Sequence, residues 1–142
     1  MAIFGFGATY DREDVSGRFV AAGVACVGWS ETDAPPLHNI LHHIKIGDIA
    51  FLKSFAPQIG LTIKAVGIVT GRKPQKIEHL GRGVAVRWVW QGEERVGLLE
   101  DKYPVRSITL YEEYNPTVQE RVIELLLSAA DRPLQRTGSA GR

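Results

Sequence analysis

Residues able to carry out chemistry are sparse in this chain and do not form a recognisable catalytic set. His38 and His42 stand one helical turn apart with His43 beside them. That spacing puts two imidazoles on one helix face, but a metal centre needs a third ligand and none stands at a recognisable spacing, so these histidines read as the polar face of an amphipathic helix. His79 with Glu78 or Asp101 makes a hydrolytic pair only if their place in predicted loops, without a supporting motif, is overlooked. No HExxH, GxSxG, CxxC or GxxxxGK[ST] pattern occurs. Gly5-Phe6-Gly7 lacks the third glycine of a dinucleotide loop and reads as a tight strand end. The one cysteine, Cys26, lies in the apolar run Val24-Ala25-Cys26-Val27, the setting of a buried reduced thiol. The expectation is a non-catalytic protein that uses neither metal nor cofactor.

What remains is aromatic and cationic. Trp29 ends a short apolar run and is followed by Ser30, an arrangement that suggests a pocket with an aromatic wall at its mouth. Val84, Val86, Trp88 and Trp90 share one face of a later strand, where the indoles serve either as core or as a further wall. Seventeen basic against sixteen acidic residues give a formal net charge of +1, which argues against a grip on nucleic acid by bulk electrostatics. Any such contact must be local. Arg72, Lys73, Lys76, Arg82 and Arg87 outnumber Glu78 between Gly71 and Arg87, the pattern of a phosphate-facing surface or of a solvated loop. Lys53 and Lys64 read as rim charges whose stems cover apolar surface.

The elements that would position these groups follow from periodicity. Ile3 to Ala8 and Val24 to Trp29 read as strands. Between them Val15, Phe19 and Ala22 share one helical face that Gly23 ends, and after them Pro35 and Pro36 open a helix carrying Leu37, Ile40, Leu41 and Ile44. From Gly47 to Gly71 the period changes to two: Ile49, Phe51, Lys53 and Phe55 oppose Ala50, Leu52 and Ser54, and a second strand runs from Leu61 to Thr70. Both faces are apolar, so neither is expected to be fully wet. Val84 to Gln91 and Val96 to Leu99 read as a hairpin around Gln91-Gly92-Glu93-Glu94, and Val105 to Tyr111 as the last strand. A final helix begins at Asn115-Pro116, with Val118, Val122, Leu125, Leu126 and Ala129 as a stripe that docks on the sheet or on a partner.

At 142 residues the chain fits one domain, set at residues 1–133, with a disordered tail at 134–142. The fold class is α+β: a small barrel of about six strands with two or three short covering helices. The start carries no basic segment followed by an apolar core, and no run approaches the roughly 20 residues of a spanning helix, so no membrane association and a cytoplasmic location are the expectations.

The order of parts resembles the PUA-like superfamily, in particular its EVE and YTH domains. The likeness rests on Trp29-Ser30, the helix after it, the strand pair Gly47-Asp48-Ile49-Ala50-Phe51 to Lys64-Ala65-Val66-Gly67-Ile68-Val69, and the strand Val84-Ala85-Val86-Arg87-Trp88-Val89-Trp90. It covers roughly residues 24 to 111. The resemblance implies a reader of a modified or flipped nucleobase in DNA or RNA. It places Trp29 as the first cage wall, Ser30 as the adjacent polar contact, Trp88 as a second wall, and Ser54 and Phe55 at the pocket floor. The segment Ile3 to Tyr10 and the helical tail fall outside the pattern, and no asparagine precedes Trp29 at the usual contact position. From a different class stands an adaptor that pairs as a homodimer through the helix Pro116–Ala130.

Overall fold

The computed structural model describes residues 1–100 and 106–130. Its elements in chain order are β1 (Ile3–Gly7), β2 (Thr9–Tyr10), β3 (Glu13–Asp14), α1 (Ser16–Ala22), β4 (Val24–Val27), α2 (Pro35–His43), β5 (Ile49–Ala56), β6 (Gly60–Val69), β7 (Gln75–Ile77), β8 (Gly81–Gly97), β9 (Leu110–Glu112) and α3 (Pro116–Ala130). The expected tail at 134–142 lies outside the described residues.

Seven strands form one mixed sheet along the path β4-β8-β6-β5-β1-β9, with β7 also paired to β8, while β2 and β3 make a separate ribbon. Among the described residues only β1 and β5 run parallel, in a register that sets Ile3 opposite Ile49 and Gly7 opposite Lys53. The sheet curls, but its hydrogen-bonded path ends at β4 and β9. The fold is therefore α+β with a half-barrel, where the strand count alone had suggested closure.

Period-two patterning has its physical consequence in β5. Ala50 and Leu52 enter one core with Phe6, Phe19, Leu41 and Val84, under α1 and α2. Ile49 and Phe51 enter the other with Ile63, Tyr111, Val118 and Val122, under α3. The stripe of α3 thus docks on its own sheet, leaving Leu127 exposed. Asn115 starts that helix by accepting the N–H groups of Thr117 and Val118 at 2.9 and 3.3 Å. Gly23 ends α1 in the left-handed conformation. Burial of Cys26 pushes its thiol up to about 12, which leaves an inert side chain.

Two strand expectations need correction. The segment read as a hairpin around Gln91–Glu94 is one continuous strand of 17 residues. Gly92 is not among the glycines with positive φ, so it does not supply the primed turn a tight hairpin requires. A bulge in β8 absorbs it instead: Ile63 and Ala65 of β6 face Glu94 and Gln91, so three residues of β6 span four of β8. A second irregularity between Val66 and Gly67 leaves Val89 unmatched, with Gly67 opposite Trp88 and Val66 opposite Trp90. As a result Trp88 packs with Val84 and Val86, whereas Trp90 packs on the other core. The last strand is also shorter than expected. Residues 106–109 turn before β9, and Val105 lies outside the described residues.

Candidate functional site

A hollow of about 550 Å³ opens where β1, β4 and β5 end, bordered by the turn before β9. Its aromatic side is built from Tyr10, Gly28 and Trp29. Tyr10 donates its hydroxyl to the Leu80 carbonyl at 2.7 Å and sets its ring edge-on to Phe19. Burial, helped by Cys26, holds the phenol well above its ordinary pKa, so it stays a neutral donor. A Cβ at Gly28 would lie 2.9 Å from the Tyr10 ring, so glycine is what lets the ring rest on the backbone beside Trp29.

Trp29 is 56% exposed, yet its backbone is fixed. His38, buried in the first turns of α2, places Nε2 at 2.7 Å from the Trp29 carbonyl. A carbonyl only accepts, so Nε2 carries the proton. His38 therefore does not belong to the exposed polar face that sequence spacing suggested, although His42 and His43 do.

The floor comes from β5. Ser54 and Phe55 line the hollow, and so does Lys53, which is only 7% exposed. This corrects the rim reading of Lys53. Its ammonium donates to the Arg106 carbonyl and lies 5.6 Å from the centre of the Tyr111 ring. Burial, then the nearby Arg106 charge, pushes the Lys53 pKa down to about 8. Arg106 also lines the hollow, 3% exposed, with its guanidinium 2.5 Å from Glu113. Glu113 accepts the N–H of Asn115 at 3.1 Å, which ties the floor to the start of α3.

Of the residues singled out from sequence, Trp29, Ser54 and Phe55 come together around the hollow. Ser30 does not join them. Its hydroxyl accepts the Asp33 N–H at 3.1 Å and its carbonyl accepts that of Ala34 at 3.0 Å, closing the turn that leads to α2. Trp88 is not a wall either. It donates Nε1 to the carbonyls of Phe19 and Val24, each at 3.2 Å, and so fastens α1 and β4 to β8. Tyr10, Lys53, Arg106 and His38 were missed as site residues. For Lys53 a signal existed: a charge inside a strand that is apolar on both faces.

The basic group divides. Arg72, Lys73, Lys76 and Arg87 are exposed, while Arg82 is half-buried, 3.3 Å from Glu31. Arg72 and Lys73 border a separate hollow of about 290 Å³ beside Val24 and Ala85. None of the five lines the hollow beside Trp29. Among the described residues no group of three or more His, Cys, Asp or Glu side chains is placed to hold a metal ion, and no helix is long and apolar enough to cross a membrane. In comparisons with known proteins, no family model and no curated protein matches the chain.

Proposed function

We propose that this protein is a non-catalytic binding module whose hollow takes a modified or flipped nucleobase of DNA or RNA, stacked on Trp29. The observation that carries this reading is a large indole, 56% exposed, with a pinned backbone, beside a hollow of about 550 Å³. Such a volume lies within the range of roughly 300–1,000 Å³ typical of small-ligand sites. An indole held at a rim offers a π-face to any base, and that stacking contributes about 1–3 kcal/mol. Phe55 and Tyr10 supply apolar walls, and Ser54 a hydroxyl for a base edge. A PUA-like ancestry of the EVE or YTH type belongs to the same proposal, supported by the order of strands and helix around Trp29.

Exposed Arg72, Lys73, Lys76 and Arg87 are the candidates for phosphate contact. About three such contacts give a salt slope near −2.7, a shallow dependence. Selectivity then rests on the hollow. One buried methyl contributes only about 0.8 kcal/mol, so discrimination also requires a wall that penalises the unmodified base.

The test is tryptophan fluorescence with oligonucleotides carrying modified bases, at low salt. Binding is expected to quench emission from the wild-type protein. Trp29→Ala should weaken binding by about 5- to 150-fold, the equivalent of one stacked base, and leave the melting temperature nearly unchanged. Unchanged affinity in that variant, or no binding of any modified oligonucleotide, overturns the reading.

A further inference from the structure

We infer that the ligand of this hollow carries an anionic oxygen, a carboxylate or a phosphate, that seats on the Lys53 ammonium. The inference rests on the base-binding reading and specifies its chemistry. Lys53 is 7% exposed and lines the hollow. An ammonium has three donors, and among the described residues one of them is used, on the Arg106 carbonyl. Among the described residues no carboxylate stands within ion-pair distance of it; the charge beside it is the Arg106 guanidinium, already engaged with Glu113.

Lys64 is placed differently. That lysine, on the neighbouring strand, lies 2.9 Å from Asp14 and 3.9 Å from Glu93. The more exposed cation is thus flanked by carboxylates, while the buried one has none among the described residues. Burying an unpaired charge is costly unless an opposite charge or hydrogen-bond partners reach it. The face of Tyr111 gives only partial relief. Two donors without a partner among the described residues, on a buried cation bordering a cavity wide enough for a ligand, match an oxyanion better than a neutral group. Ser54 and Thr9, on the same lining, offer hydroxyls to the remaining oxygen lone pairs.

An anionic oxygen has two natural sources here: an acidic substituent on the base, or the phosphate of the nucleotide that bears it. Calorimetry on the wild-type protein separates them, using a ring-carboxylated pyrimidine nucleoside, a nucleoside monophosphate, the neutral parent nucleoside, and benzoate as an anionic ring with no base edge. One of the two anionic nucleosides is expected to bind at least about tenfold tighter than the neutral parent, and which one names the source. In Lys53→Met, and in Lys53→Gln as a second variant, that preference should fall to about one while each variant still melts cooperatively. Equal binding of charged and neutral nucleosides to the wild type, or a preference that survives in either variant, overturns the inference and leaves the base reading standing. Lys53-dependent binding of benzoate with no binding of any nucleoside leaves the anion seat standing and removes the base reading. No binding of any of the anions overturns the inference outright.

Discussion

Gly60→Ala is expected to lower stability by about 3 kcal/mol or more and to weaken ligand binding with it. Gly60 holds φ at +88°, in the left-handed region, and an added Cβ would come 2.1 Å from both the carbonyl carbon and oxygen of Gly97. It would also stand 2.5 Å from the Leu98 nitrogen. These are backbone atoms at the end of β8, where Leu61 pairs with Gly97, so no side chain can swing aside. The strained dihedral costs about 1–3 kcal/mol and the overpacking a similar amount. Gly47→Ala provides the control: its φ is +94°, but nothing lies within 4 Å of the added Cβ, so only the dihedral cost of about 1–3 kcal/mol applies. Urea melts of the two variants separate the terms. A loss at Gly60 no greater than that at Gly47 would refute the packing argument. The effect reaches the site because Gly60 pairs with Ala56 at the end of β5, next to Ser54 and Phe55.

The same region shows what alternation and spacing can and cannot reveal. The two-sided burial of β5, the end of α1 at Gly23 and the stripe of α3 were legible because each follows from a local period or a local turn residue. The continuity of β8 was not. Gly92-Glu93 has the composition of a turn, and only the pairing with β6, through the bulge in β8 opposite Ile63 and Ala65, decides that the chain runs straight on. One more bulge sends Trp88 and Trp90 to different cores, so a shared face inferred from even spacing failed there. Trp29 was legible because it ends a short apolar run and, with Ser30, carries the resemblance to PUA-like domains. Its anchor was not, since the contact between His38 and the Trp29 carbonyl depends on how α2 folds back. Lys53 was misplaced for a related reason. Long lysine stems commonly carry their charge out to water, and nothing local shows that Arg106, 53 residues on, closes over this one.

That buried lysine gives the second large effect, a dependence of stability on pH with a defined sign. In the folded protein Lys53 loses its proton near pH 8, against 10.5 as its ordinary value. Below pH 8 both folded and unfolded chains hold the proton, and the folded state carries the cost of a buried cation. Between about 8 and 10.5 the folded chain has released it while the unfolded chain still binds it, so stability rises with pH across that window. The gap corresponds to about 3 kcal/mol. Tyr10 and Cys26, whose pKa values are raised, act in the opposite direction at alkaline pH, so the wild type alone does not isolate the effect. The difference between wild type and Lys53→Met does, because both proteins share those groups. Near neutral pH the variant is expected to be the more stable by about 2 kcal/mol, after about 1 kcal/mol is deducted for the hydrogen bond lost at the Arg106 carbonyl. By pH 10.5 that advantage should vanish or reverse. Denaturant melts at several pH values read the difference directly, and a constant difference, or a wild type more stable at neutral pH, would show that the ammonium is already satisfied by the protein. A variant that gains stability as it loses its anion would mean that the fold keeps a destabilising charge because the hollow needs it.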